Sequence, residues 1–179
     1  MKYKIAILSL LLLFTHSLYG FDENKEGFIL GIGTGIGAIK SDTTLNSKKS
    51  SETSPSLSTS FKLGYGLNKN FLLYYINDVN WFSLKNSDDI YISALTGIGA
   101  SYFLKEHNKY FISGAIGVSS LANLTKSSNL DDIGYGVKVG AGYEIKPHIQ
   151  IESDYTYTKI NDSSSKTHSF NLSVHYMWY

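Results

Sequence analysis

The sequence contains no cysteine and no arginine, has only two prolines, and carries only 17% charged residues. Without cysteine there is no disulfide framework, no thiolate metal site and no thiol nucleophile. Every basic residue other than histidine is therefore lysine. The planar guanidinium fork that reads phosphates and base edges bidentately is missing, so nucleic acid is not an expected partner. Beyond residue 20 there is also no apolar run approaching the roughly 20 residues that a membrane-spanning helix needs, and no segment with sustained helical spacing.

What is present begins with an export signal. Lys2 and Lys4 form a short positive region, Ile5 to Phe14 is apolar apart from Ser9, and a polar stretch ends at Gly20 ahead of Phe21-Asp22-Glu23. This is the three-part layout of a secretory signal, and its apolar core is too short to act as an anchor. Cleavage is expected near Gly20, with Ser17 as the alternative because Leu18 is large for the position two before the cut. Residues 1–20 then form the signal peptide and 21–179 one domain of about 159 residues. Fourteen lysines face 15 acids in that domain, so it is close to neutral.

The remaining chain alternates with a period of two, which predicts an all-β protein. Ile133, Tyr135, Val137, Val139, Ala141, Tyr143 and Ile145 interleave with Gly134, Gly136, Lys138, Gly140, Gly142 and Glu144. Phe28 to Gly37 and Leu57 to Leu67 follow the same rule, and further strands are predicted near 71–83, 89–104, 109–121, 148–160 and 167–179. That makes eight. In the third, Leu72, Tyr74 and Ile76 compete with Phe71, Leu73 and Tyr75 for the apolar face.

The connections alternate in length. Asn68-Lys69-Asn70, Lys105 to Asn108 and Lys146-Pro147 are short, whereas 41–56, 84–88, 122–132 and 161–166 are mostly longer and rich in Ser, Asn, Asp and Lys. Transmembrane barrels show this asymmetry, with short periplasmic turns and long outer loops, and with both termini periplasmic. The segment 41–56 is expected to be a mobile loop, since nothing in it can bury apolar area against the entropy of ordering.

A soluble barrel would also alternate, so the decisive question is which face points outward. A solvent-facing sheet surface made of glycines would have poor strand propensity. Small and polar residues fit better inside a narrow eight-stranded wall, whose interior has room only for side chains. Tyr65, Tyr102, Tyr110, Tyr143, Tyr157, Tyr176 and Trp178 lie in the apolar phase near strand ends, where amphipathic rings form interfacial girdles. The expected fold class is an eight-stranded antiparallel up-and-down transmembrane β-barrel after an N-terminal signal peptide.

The segment Gly27-Phe-Ile-Leu-Gly-Ile-Gly-Thr-Gly-Ile-Gly37, the strand Phe61-Lys-Leu-Gly-Tyr-Gly66 and the aromatic strand Phe170-Asn-Leu-Ser-Val-His-Tyr-Met-Trp-Tyr179 resemble the small outer-membrane β-barrel superfamily. Its members include OmpX-type proteins, the OmpA membrane domain and OmpW-type proteins. The resemblance implies a location in the Gram-negative outer membrane, contact with outer-membrane lipid and lipopolysaccharide, and a monomer. It also implies recognition of the last strand by the barrel-assembly machinery. One departure is that Phe170 to Trp178 set the apolar phase and Tyr179 falls one step beyond it.

Chemical motifs are sparse. Gly33-x-Gly35-x-x-Ala38 lacks the βαβ context of a dinucleotide fingerprint, and the sequons at Asn123, Asn161 and Asn171 carry little meaning in a bacterial envelope protein. Lys62, Asp78, Lys138, Glu144, Glu152, Asp154 and His175 share the inward phase, where charges must pair. Hairpin registers place Lys138 opposite or diagonal to Asp154 and allow His175 opposite Glu152. A lipid A deacylase site would need His and Ser on one face, but His168 and Ser169 are adjacent and point opposite ways. An omptin-like site would need acids coupled to a histidine, and Asp88-Asp89 and Asp131-Asp132 have none nearby in sequence. No metal spacing links His107, His148, His168 and His175. No catalytic, cofactor-binding or metal residue is assigned. The expected function is a non-enzymatic structural or surface-interaction barrel exposing loops 41–56, 84–88, 122–132 and 161–166. The alternative is an OmpW-like narrow pore or route for small hydrophobic molecules, and a lipid A-modifying enzyme is a more distant one.

Overall fold

A computed structural model describes residues 25–45, 48–84, 89–104, 109–124, 133–161 and 165–179. The expected signal peptide and its cleavage site lie outside the described residues. Eight strands run in chain order: β1 (Gly27–Leu45), β2 (Lys48–Asn68), β3 (Phe71–Ser83), β4 (Ile90–Phe103), β5 (Tyr110–Asn123), β6 (Ile133–Lys146), β7 (Ile149–Ile160) and β8 (Lys166–Trp178). Each pairs with the next, and β1 pairs antiparallel with β8 to close the barrel. Closure leaves no sheet edge in the wall, so the backbone is satisfied without water. No helix among the described residues is long and apolar enough to cross a membrane, so any crossing is made by strands.

The faces are inverted relative to a soluble barrel. Ile36, Ile98 and Ile116 point outward and are 65%, 64% and 68% exposed, while Lys62, Lys138 and Glu152 point inward and are 1%, 3% and 0% exposed. An arrangement that turns isoleucine out and ionises the interior is stable only if the surroundings are apolar. β3 settles its two competing faces: Leu72, Tyr74 and Ile76 are buried inside and Phe71, Leu73 and Tyr75 face out. Tyr74 fits the lumen because it is flanked by Gly64 on β2 and Gly99 on β4. A Cβ on Gly64 would stand 2.7 Å from the Tyr74 Cβ, and one on Gly99 would stand 2.5 Å from its ring. Bulk on one strand is thus matched by glycine on its neighbours.

One end of the barrel is closed by short connections. Asn68 Oδ1 accepts hydrogen bonds from the backbone N–H of Asn70 and Phe71 at 2.9 and 3.0 Å, forming a side-chain-supported turn. His148, at φ 71°, follows Pro147 in the turn between β6 and β7. We call this the turn end, and the other the loop end.

At the loop end the expectation of a mobile segment over 41–56 is corrected. β1 and β2 stay paired through Ala38↔Pro55, Lys40↔Thr53 and Asp42↔Ser51 to Leu45↔Lys48, well past the last β2–β3 pair at Ser56↔Phe82. Apolar burial is not the only term that orders this segment. A ladder already nucleated in the barrel wall continues through backbone hydrogen bonds, and Ser and Thr tolerate that extended conformation. Pro55 falls just where β2 parts from β3, an edge position that proline tolerates.

Candidate functional site: the ionic lumen and the outer rim

The alternation that turns leucine and isoleucine outward delivers seven ionisable side chains to the lumen. Near the middle, Lys62 on β2 reaches across to Glu152 on β7 (Nζ–Oε2 2.7 Å), and Lys138 on β6 reaches Asp78 on β3 (2.7 Å). Lys138 also lies 3.4 Å from Glu152 and 3.5 Å from Asp154. Ser113 donates to Glu152 Oε1 at 2.7 Å, and Asn171 Nδ2 donates to Asp154 Oδ1 at 3.1 Å. His175 Nε2 lies 3.4 Å from Glu152 and 2.7 Å from Ser173 Oγ. Three carboxylates therefore share two ammonium groups and one imidazole. Buried ion pairs are tolerable only when further hydrogen bonds occupy the remaining lone pairs, which Ser113, Asn171 and Thr156 do here.

Towards the turn end the lumen becomes apolar. Ile29, Leu72, Tyr74, Ile76, Phe103, Phe111, Ala115, Met177 and Tyr179 pack into one cluster. Lys25 joins Glu144 at 2.8 Å and sits over the Phe103 ring. Tyr179 donates its hydroxyl to Glu144 and accepts from Gln150 Nε2. The departure noted for Tyr179 is thereby explained: its ring turns inward, while Tyr176 and Trp178 stay in the outer girdle.

The anticipated Lys138–Asp154 contact is present and diagonal, since Asp154 pairs with Gly140. His175 is not opposite Glu152: it pairs with Gln150, and Glu152 pairs with Ser173, so the contact is also diagonal. The register differs by two residues from that expectation, because the ladder continues to Lys159↔Lys166 and the connection is correspondingly shorter. The two trans-barrel bridges, Lys62–Glu152 and Lys138–Asp78, escaped sequence reasoning, because hairpin registers give only neighbours along the sheet. The signal that could have found them is that all four residues occupy the inward phase at mid-strand.

At the loop end, His168 faces outward and Ser169 is buried inside, as adjacent strand residues must be. His168 Nδ1 is 2.6 Å from the Tyr155 hydroxyl, and Nε2 is 3.9 Å from Asp42 Oδ2. The Ser51 hydrogen bond, together with Lys40 and His168 nearby, holds the Asp42 carboxyl below its ordinary range. An acid thus flanks His168, but the hydroxyl beside it belongs to a tyrosine rather than to a serine. Asp88, Asp131 and Asp132 lie outside the described residues, and Asp89 accepts a hydrogen bond from Asn123 at 3.1 Å. Among the described residues no group of three or more His, Asp and Glu is arranged as metal ligands.

A closed antiparallel wall, apolar outside and ionic within, with aromatic residues at both rims, defines a transmembrane β-barrel. Residues 6–177 match the model of the outer membrane protein β-barrel domain, and the chain belongs to that family. It is an outer-membrane protein of the Gram-negative type. Its fold is similar to that of Ail, the attachment invasion locus protein of Yersinia pestis, at TM-score 0.57 and 16% identity over 86% of this chain and 99% of that one. Neisserial surface protein A gives TM-score 0.57 and 18% identity over 84% and 96%. OprG from Pseudomonas aeruginosa gives TM-score 0.53 and 12% identity over 88% and 99%. At these identities the likeness concerns the fold alone. No curated relative matches the chain in sequence.

Proposed function

We propose that this chain is a non-enzymatic surface barrel, exported by removal of residues 1–20, whose loop end faces the cell exterior and makes its contacts there. One observation carries this reading: the lumen is filled by ion pairs and an apolar cluster, while the β1–β2 ladder runs on to Leu45↔Lys48, three pairs past the last β1–β8 pair at Asp42↔Lys166. A barrel with a filled interior offers its outside and its loops. The names of two structural neighbours, an attachment invasion locus protein and a surface protein, agree with such a role. Ail has also been crystallised with the heparin analogue sucrose octasulfate. On this reading the chain is monomeric, is surrounded by outer-membrane lipid and lipopolysaccharide, and is inserted by the assembly machinery through β8.

Conductance in planar bilayers tests it. Purified protein is expected to give no stable single-channel steps, because a filled eight-stranded lumen leaves no continuous aqueous path. Regular steps would favour a narrow pore instead. Orientation has its own check: trypsin added to intact cells is expected to cut at Lys48 or Lys49 near the tip of the ladder. Cleavage at Lys69 first would reverse the topology.

A further inference from the structure

We infer that the lumen holds a monovalent alkali cation on the loop side of the ion-pair cluster, bound by Asp78, Asn80 and Asn171 with the serines of β2. A small enclosed cavity lies there, with about 10 Å³ open to the centre of a water-sized guest, enough for one such guest. Ser58, Ser60, Asp78, Asn80, Asn171 and His175 line it, with the Lys138 ammonium, Asp154 and Ser173 at its inner side. Each of Ser58 Oγ, Ser60 Oγ, Asp78 Oδ1, Asn80 Oδ1, Asn171 Oδ1 and His175 Nδ1 is buried without a hydrogen-bond partner, and Asn80 and Asn171 are 4% and 3% exposed. Orphaned buried acceptors are rare and call for an occupant.

The placement of these oxygens follows from the registers. Ser58 faces Asn80 and Ser60 faces Asp78 across β2 and β3. β1 brings glycine between β2 and β8 at this level, with Gly35 paired to Ser58 on one side and Ser173 on the other, and Gly33 to Ser60 and His175. A Cβ on Gly37 would stand 2.4 Å from Asn171 Oδ1, so that oxygen lies against bare backbone. Its identity is settled by its own amide nitrogen, which donates to the acceptor-only carboxylate of Asp154. Asn80 Nδ2 reaches across the lumen to Ser169 Oγ at 3.4 Å, which turns its oxygen elsewhere.

Chemistry then chooses between guests. A water molecule can donate two hydrogen bonds, yet three orphaned oxygens here are acceptors only. The surrounding charges are also unequal, since Asp78, Glu152 and Asp154 outnumber Lys62 and Lys138 by one when His175 is neutral. One positive charge completes the balance. A divalent ion would overshoot it beside the Lys138 ammonium, and hard oxygen donors of amide, hydroxyl and carboxylate type suit an alkali ion. Ser54 and Ser56, whose hydroxyls are likewise unpartnered, continue this polar line along β2 towards the loop end.

The test is refolding of the barrel into detergent micelles and urea unfolding in sodium chloride against N-methyl-D-glucamine chloride at constant ionic strength, the organic cation being too large for the cavity. Above the dissociation constant, each tenfold rise in sodium is expected to shift the folding equilibrium about tenfold. Asn80→Leu removes one orphaned oxygen while leaving every ion pair intact, and it is expected to fold and to lose most of the sodium response. Thallium(I) soaked into crystals is expected to give an anomalous peak between Asp78 and Asn171. Equal stability in the two salts would overturn the proposal and leave the cavity to water or to a proton on His175. An undiminished sodium response in folded Asn80→Leu would overturn it as well.

Discussion

Lys138→Met is expected to destabilise the barrel by about 3–5 kcal/mol at neutral pH, the usual range when one partner of a buried ion pair is removed. Lys138 touches three carboxylates, at 2.7, 3.4 and 3.5 Å. Glu152 retains Lys62 and Ser113, whereas Asp78 and Asp154 are both left without a counter-charge, Asp154 keeping only the neutral donors Asn171 and Thr156. The deficit is expected to narrow as pH falls. The parent loses ion-pair stabilisation when its carboxylates become protonated, whereas the variant sheds the penalty of a buried, uncompensated charge, and both changes close the gap. Urea unfolding of the two proteins in lipid vesicles between neutral and acidic pH measures this directly. Equal stability at neutral pH, or a gap that widens in acid, would show that these charges are not closely paired in the lumen.

One residue earlier the sign of the requirement reverses. Val137 faces outward, paired with Ile116 on β5 and Tyr157 on β7. Val137→Lys places an ammonium among lipid tails and is expected to cost about 2–4 kcal/mol near the bilayer midplane. Lysine at Ile133, close to the loop end of β6, is expected to cost about 1 kcal/mol or less. The same unfolding assay, with gel mobility of unheated samples as a check on folding, separates the positions. A silent Val137→Lys would mean that this face does not meet hydrocarbon.

The contrast between positions 137 and 138 also explains why so much of the fold could be read from sequence. A strand has a side-chain period of two, so a single lysine inside an otherwise apolar and glycine alternation fixes the phase of all of β6. Where both phases are apolar, as in Phe71 to Ile76, period alone cannot decide. The answer there came from Gly64 and Gly99, which are distant in sequence and become neighbours of Tyr74 only through pairing. The ionic lumen was half legible for a related reason. Its membership followed from phase, and the diagonal contact of Lys138 with Asp154 followed from one hairpin. The bridges from β2 to β7 and from β3 to β6 depend on the curvature of the closed wall, which no local pattern encodes. The triplet of Asp42, His168 and Tyr155 was hidden in the same way, being assembled from three strands.

The length of the β1–β2 ladder has an immunological consequence. Past the last β1–β8 pair at Asp42↔Lys166 it carries three further residues of β1, a rise of roughly 10 Å at about 3.3 Å per residue. In the folded chain, Lys40 stands beside Thr53 and Asp42 beside Ser51, so an antibody approaching this ridge meets residues from two strands held side by side. A synthetic peptide spanning 41–56 presents them in a single flexible line. Sera raised against that peptide are expected to bind denatured protein on blots and to bind intact cells poorly, whereas sera raised against the refolded barrel should show the opposite preference.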